Sequence, residues 1–117
     1  MKIMYQVFLP QPEAACGQAP SLRFHAHGPD AFAEQLHIAL ADPRWYARWR
    51  SIQQNPDAVD KSLAQIDSQS RVLGQMKDFG ILLKVHTVLP NKVLHHRMSV
   101  LAGTHWELHD VVESKET

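Results

Sequence analysis

Residues Ser21 to Leu40 carry a strand pattern, a turn and a helix pattern in immediate succession, and this order restricts the folds that are open to the chain. From Leu22 to His27 apolar and polar side chains alternate, which is the two-residue period of a strand with one buried side. Gly28 and Pro29 interrupt that pattern. Apolar residues then recur at helical spacing, at Phe32, Leu36, Ala39 and Leu40. The stretch predicts a strand, a turn and a helix whose apolar sides face one core.

Five other segments have clear strand or helix patterns. Lys2 to Leu9 alternates like a strand, and the prolines at positions 10 and 12 end it. Arg71 to Lys77 and Ile81 to Leu89 flank a short turn and predict a hairpin. The remaining patterns are a helix that begins after Pro90 and ends at Gly103, and a last strand over His105 to Val112.

These elements predict an α+β fold. Without the first strand, their order is strand, helix, strand, strand, helix, strand, which is the ferredoxin-like split βαβ sandwich (βαββαβ) with its helices on one face of an antiparallel sheet. The strand over residues 2–9 is then an extra N-terminal strand, free to pair within the monomer or with a second subunit. We expect one domain over residues 1–117, with a strand and loop at 1–20 and a polar tail at 113–117.

Charge and cysteine content narrow the functional classes. Twelve basic and twelve acidic side chains cancel, which disfavours nucleic acid and anionic membranes as partners. A weaker alternative is single-stranded nucleic acid bound through Arg44, Arg48 and Arg50, which alternate with aromatic residues. The single cysteine suits a reducing compartment, and no apolar run reaches the length of a membrane span or a good signal-peptide core. These features predict a cytoplasmic protein.

Histidines are concentrated on two predicted strands, and this carries the metal hypothesis. The usual strand order of the predicted fold places the strand at 22–27 beside the strand at 105–112. Their polar residues then share one sheet face: His25, His27, His105, Glu107 and His109. Imidazole and carboxylate groups at this spacing are ligands for one divalent iron, manganese or zinc ion. The ligand set would be His25, His27 and Glu107, with His105 or His109 as general base. The alternative is an ordinary solvated face of an amphipathic strand.

The face of the sheet opposite the helices is also a candidate interface. Proteins usually bury or blunt an open sheet and its edges. Its predicted apolar residues are Phe8, Leu82, Val88 and Val111. The first functional hypothesis is therefore a small cytoplasmic binding or regulatory module that acts by protein–protein interaction as a homodimer and needs no cofactor. The alternative is a metal-dependent small-molecule enzyme that uses the histidine and glutamate cluster.

Two further predictions concern packing. The polar stretch from Asp57 to Ser70 is expected to be the least well packed part of the chain. His95, His96 and Arg97 are expected on the exposed side of the second helix of the βαββαβ pattern, where surface residues usually have little effect on stability.

Overall fold

The computed structural model describes residues 2–25 and 27–114, which contain four strands and three α-helices. In chain order they are β1 (Lys2–Leu9), α1 (Pro29–Ala41), α2 (Pro43–Ser51), β2 (Arg71–Lys77), β3 (Gly80–Thr87), α3 (Asn91–Ala102) and β4 (Glu107–Ser114). The strands form one open antiparallel sheet in the order β2-β3-β1-β4. The prediction of an α+β fold is confirmed.

The core lies between one side of this sheet and helices α1 and α3. Along β1 the side chains of Tyr5, Val7 and Leu9 are fully buried, whereas the residues between them are partly exposed. The core also contains the apolar stripes of the two helices, including Phe32, Leu36, Leu40, Leu94, Met98 and Leu101. The apolar side chains that follow the two-residue period of the strand and the 3.6-residue period of the helices therefore pack in one core, as the sequence predicts.

The prediction of an extra N-terminal strand is wrong. β1 occupies a central position and pairs with β3 on one side, from Ile3 to Leu9, and with β4 on the other, from Lys2 to Phe8. It therefore has no free edge to offer to a second subunit. No strand forms among the described residues of the segment 22–27, of which Ala26 lies outside the described part.

The segment before α1 alternates in burial for a different reason. Leu22 and Phe24 are buried, but the amide of Leu22 closes a turn on Ala19, and the amide of Phe24 donates to the carbonyl of Leu101 at 2.9 Å. Leu101 lies in the last turn of α3, where helix carbonyls lack partners within the helix. The segment thus covers the end of α3 and adds two apolar side chains to the core, without pairing in the sheet.

The predicted hairpin and the predicted end of α3 are both confirmed. β2 and β3 pair from Arg71 opposite His86 to Lys77 opposite Gly80. The two turn residues, Asp78 and Phe79, have φ angles of 50° and 67°. Positive φ at both central positions is the geometry of the tight turn that matches the twist of a hairpin. α3 ends at Gly103, whose φ is 66°.

Arg97 joins three parts of the helical layer and is completely buried, so the prediction that it lies on the exposed side of α3 is wrong. Its Nε donates to the carbonyl of Ala39 at 2.8 Å, and its Nη2 donates to the carbonyl of Gln65 at 3.0 Å. The guanidinium carbon lies 5.0 Å from the ring centre of Trp45 and 5.6 Å from that of Tyr46. Burial lowers the pKa of Arg97 to about 10, so the side chain keeps its charge at neutral pH.

The polar stretch at 57–70 is tied to the sheet through Asp67. Its carboxylate accepts hydrogen bonds from Thr87 Oγ1 at 2.8 Å, from the amide of Val88 and from the amide of Gln69. Burial tends to raise the pKa of Asp67, but these hydrogen bonds outweigh it and hold the pKa below its ordinary value. The amide of Asp67 also donates to Leu40 at the end of α1. This end of the stretch is therefore better anchored than its composition indicates.

His96 packs inside a group of aromatic rings on α2. The centre of its ring lies 4.2 Å from that of Trp49, edge to face, and Nδ1 accepts a hydrogen bond from Arg97 Nη1. Its Nε2 is buried and has no hydrogen-bond partner among the described residues. Burial, and secondarily the charge of Arg97, lower the pKa of His96 to about 4. The neutral imidazole is thus the form that fits the folded chain.

The low pKa of His96 makes folding stability depend on pH. The unfolded chain takes up a proton below about pH 6.5 that the folded chain excludes down to about pH 4. Acidification across this range therefore favours unfolding. Because the ring keeps some contact with solvent, we expect a loss of about 1–2 kcal/mol from this group.

Urea unfolding at pH 7 and pH 4.5 measures this loss. His96→Gln keeps an acceptor for Arg97 but does not titrate, so we expect it to lose less stability between the two pH values than the wild type. His27→Gln, at an exposed histidine, should follow the wild type. Equal losses in the wild type and in His96→Gln would contradict the assignment.

No helix within residues 2–25 and 27–114 has both the length and the apolar composition needed to span a membrane.

Candidate functional site

The side of the sheet that carries no helix, which we call the open face, is defined by the register of the four strands. Residues directly opposite each other in an antiparallel pair point to the same side. Since Tyr5, Val7 and Leu9 point into the core, the residues between them and their partners point outward. The open face comprises Lys2, Met4, Gln6, Phe8, Arg71, Leu73, Gln75, Lys77, Leu82, Lys84, His86, Glu107, Asp110 and Val112.

The centre of the open face is apolar. Phe8 and Leu82 lie opposite each other on the two central strands, and Leu82 is only 3% exposed although no helix covers it. The ring of Phe8 reaches over Gly80, where an added Cβ would lie 2.7 Å from it. Leu73 and Val112, on the two edge strands, add exposed apolar surface. The face thus has a packed apolar centre and partly exposed apolar margins.

The two edges of the open face have opposite charge. Arg71 and Lys77 lie on the edge strand β2, and Lys84 lies next to them on β3. Glu107 and Asp110 lie on the other edge strand, β4. We call these the basic half and the acidic half of the face. The overall charge of the chain is zero, so this separation is a property of the fold that composition does not reveal.

A bulge in β4 adds one more side chain to the acidic half. The register with β1 shifts between Gln6 and Val7, which leaves His109 as an extra residue. Its ring centre lies 5.0 Å from that of Phe8, and its Nε2 donates to Glu107 Oε1 at 2.8 Å. His109 therefore links the apolar centre to the acidic half.

The predicted metal ligands do not come together. Glu107 and His109 share the open face, but β4 pairs with β1, so the predicted neighbour relation with the segment at 22–27 is wrong. His25 and His27 instead line a groove beside α1, and His105 precedes β4 with its amide bonded to Ala102. Among residues 2–25 and 27–114, no three His, Cys, Asp or Glu side chains are placed to hold a metal ion.

Both ring nitrogens of His25 already have partners. Nδ1 lies 3.0 Å from the carbonyl of Arg23, and Nε2 lies 3.1 Å from the side-chain nitrogen of Gln35. A carbonyl can only accept, so Nδ1 carries the proton and Nε2 accepts from the amide group of Gln35. A histidine bonded in this way has a structural role in fixing the segment to α1.

The four predicted interface residues divide between different parts of the molecule. Phe8 and Leu82 lie on the open face, as predicted. Val111 lies opposite Tyr5, on the side of the sheet that carries the helices, and its neighbour Val112 takes the outward position. Val88, 54% exposed, follows the end of β3. The one-residue difference between Val111 and Val112 arises from the bulge in β4, which the alternation of the sequence does not reveal.

The arginine-rich helix α2 offers less free charge than its sequence indicates. Arg44 forms a salt bridge with Asp42 at 2.8 Å, and Arg50 forms one with Asp57 at 3.1 Å. Trp45 is buried and Trp49 is half-buried against the core. Neither ring is therefore a free stacking surface for a base.

Comparisons of the chain with protein-family models, with curated proteins and with solved structures find no match. Its function is therefore inferred from the geometry of the chain itself.

Proposed function

We propose that this chain is a protein-interaction module that works as a homodimer, with the open face as its interface. The observation that carries the proposal is the separation of charge on that face, with basic side chains at one edge and acidic side chains at the other. A surface of this kind is complementary to a second copy of itself.

Two-fold symmetry brings the halves together. When two sheets pack face to face about an axis parallel to their strands, β2 of one protomer lies over β4 of its partner. The contact between β2 and β4 is then made twice, because both copies use the same surface. Arg71 and Lys77 face the acidic half of the partner, while Phe8 on β1 lies over the partner's Leu82 on β3, near the axis. Charge complementarity of this kind selects the partner and fixes the register.

The size of the open face sets the expected strength of the dimer. Strands of seven or eight residues, each rising about 3.4 Å per residue and spaced about 4.8 Å apart, give a face of about 500 Å². Two copies then bury about 1,000 Å² in total, which is near the lower limit for a specific interface. We therefore expect a reversible dimer with a dissociation constant in the micromolar range, weakened by salt.

Sedimentation equilibrium across a range of protein and salt concentrations tests the proposal. We expect the double variant Arg71→Glu/Lys84→Glu to dissociate about 30-fold more readily than the wild type, because it places like charges opposite each other. The control is Arg48→Glu, an exposed arginine on α2, which should dimerise as the wild type does. A wild-type chain that stays monomeric at millimolar concentration, or equal effects of the two variants, would exclude the open face as the interface.

We also propose that the architecture is the ferredoxin-like one, without the additional strand. This is supported by two consecutive strand–helix–strand units, β1-α1-β2 and β3-α3-β4, and by the strand order β2-β3-β1-β4. In this description α2 is an addition between α1 and β2. A single sheet covered on one side leaves the other side available, which is what a protein-interaction module of this size requires.

A further inference from the structure

A groove lies beside the hairpin turn, on the side of the sheet that carries the helices. Its volume is about 650 Å³, within the range of about 300–1,000 Å³ that is usual for small-molecule sites. Met76 and Ile81, which lie opposite each other on β2 and β3, form one wall. Since Ile81 points into the core, this wall belongs to the side opposite the open face. The groove is therefore separate from the proposed dimer interface.

The floor of the groove is aromatic and rigid. Phe24 and Phe32 are both buried, and their rings meet edge to face with centres 4.8 Å apart. Phe24 is held by the hydrogen bond from its amide to Leu101, and Phe32 lies in the first turns of α1. Two fixed aromatic rings give a ligand a preformed apolar surface.

Phe79 forms the movable wall. It is 98% exposed, so it contributes almost nothing to the core, and it has a positive φ that residues other than glycine, asparagine and aspartate rarely adopt. Asparagine followed by glycine is the preferred pair for such a turn. A large aromatic residue in that position has a conformational cost without any packing to offset it in the chain itself. Costs of this kind are typical of functional sites.

The charge of the groove favours a cation. Among the described residues that line it, Glu13 is the one Asp or Glu side chain, and no Lys or Arg is present. Aromatic faces also attract organic cations through their ring electrons. An organic anion would meet Glu13 without a lysine or arginine in the described lining to offset the repulsion.

We propose that this groove is a second site, which binds a small organic cation with an aromatic body. The aromatic body lies on Phe24 and Phe32, Phe79 closes over it, and the positive charge lies near Glu13. Aromatic side chains on exposed turns change rotamer on the picosecond to nanosecond timescale, so closure needs no rearrangement of the fold.

Two fluorescent probes of opposite charge test this proposal on the full chain. Thioflavin T is an aromatic cation, and 8-anilino-1-naphthalenesulfonate is an aromatic anion. We expect saturable binding of the cation, with an affinity at least about fivefold higher than that of the anion. In water, one unit charge about 4 Å from another changes a binding affinity by about this factor. Glu13→Gln should reduce or remove the preference. A preference for the anion would overturn the proposal.

The variant Phe79→Gly separates binding from folding. Glycine suits the positive φ, so we expect the midpoint of thermal unfolding to rise by about 4 °C. The same variant should bind thioflavin T at least about fivefold more weakly. Ile52→Ser is the matched control, because Ile52 is 53% exposed but lines a different groove. Unchanged binding in Phe79→Gly, or an equal loss in Ile52→Ser, would overturn the proposal.

The dimer variant Arg71→Glu/Lys84→Glu distinguishes the two sites. It should bind thioflavin T as the wild type does, because both substitutions lie on the opposite side of the sheet. Loss of binding in this variant would show that the probe uses the open face and would overturn the assignment to the groove.

Discussion

Arg97→Met is expected to lower the free energy of unfolding by about 3 kcal/mol, the largest loss that we expect from one side chain outside the apolar core. Methionine fills a similar volume, so the expected loss comes from the hydrogen bonds. Without the guanidinium, the carbonyls of Ala39 and Gln65 lose their donor. The carbonyl of Ala39 is buried, and a buried carbonyl left unpaired costs about 1–3 kcal/mol, whereas the bond to Gln65 is partly buried and contributes less.

The chain itself explains why Ala39 needs this donor. Within a helix, the carbonyl of residue 39 would accept from the amide of residue 43, which is Pro43 and has no amide hydrogen. Arg97 supplies the missing donor from another helix, close to the C-terminus of α1, where a positive charge is also favourable. The next carbonyl, that of Leu40, is bonded to the amide of Asp67 in the same way.

Buried charged groups can often be replaced by apolar ones without loss of folding stability. Arg97 differs from such groups in the partners of its hydrogen bonds. In a buried ion pair both charged groups can be removed together. Here the acceptors are backbone carbonyls, which stay in place whatever side chain occupies position 97. Arg97→Lys is therefore expected to be as destabilising as Arg97→Met, since one ammonium group cannot reproduce the planar set of donors.

Urea unfolding of these two variants beside Arg48→Met measures the effect. Arg48 is exposed on α2, so its replacement should change the free energy of unfolding by less than about 0.5 kcal/mol. If Arg97→Met stayed within about 1 kcal/mol of the wild type, the two carbonyls would not depend on Arg97 as proposed.

Gly74→Ala is expected to cost about 3 kcal/mol, because the added Cβ would clash with the backbone of α1. A Cβ at this position in β2 would lie 2.2 Å from the carbonyl oxygen of Pro29, the first residue of α1. Since the clash is with backbone, no rotamer change relieves it, and the helix must move away from the strand. The measurement is again the midpoint and slope of urea unfolding.

Gly28→Ala is the matched control for this prediction. A Cβ there meets nothing within 4 Å, but the φ of Gly28 is 87°, so the substitution introduces conformational strain without a clash. We expect it to cost about 1–2 kcal/mol. A smaller loss for Gly74→Ala than for Gly28→Ala would show that α1 can shift away from β2 at little cost.

Much of the fold follows from local patterns. The hairpin and α3 are predicted because their apolar periods are long, and because Pro90 and Gly103 mark the ends of α3. Lys2–Leu9 is predicted as a strand with the observed bounds. Its central position in the sheet is not predicted, because a strand pattern shows which side chains are buried and says nothing about which strands are neighbours.

The strand prediction for the segment before α1 is wrong because alternating burial is not unique to strands. Leu22 and Phe24 alternate in burial as they pass the end of α3, where the amide of Phe24 bonds a helix carbonyl. The metal hypothesis depends on this assignment, because it needs a strand at residues 22–27 beside the last strand. The fold does not bring these two segments together in one sheet. Part of the open face is predicted correctly, since Phe8 and Leu82 do share it.

The sequence does contain a signal for Arg97. It lies four residues after Val93 and four before Leu101, both buried, so the 3.6-residue period places it on the inner stripe of α3. Its charge favours the opposite prediction, because arginine is rarely buried without a carboxylate. Pro43, which leaves a helix carbonyl unpaired, is the second part of that signal.

Mixing two charge variants tests the central claim, the self-complementary open face, most directly. Arg71→Glu/Lys84→Glu makes both halves acidic, and Glu107→Lys/Asp110→Lys makes both halves basic. We predict that each variant alone sediments as a monomer at a concentration where the wild type is dimeric, and that an equal mixture forms a heterodimer. The claim would be contradicted by a mixture that remains monomeric. It would also be contradicted if either double variant alone dimerised as the wild type does.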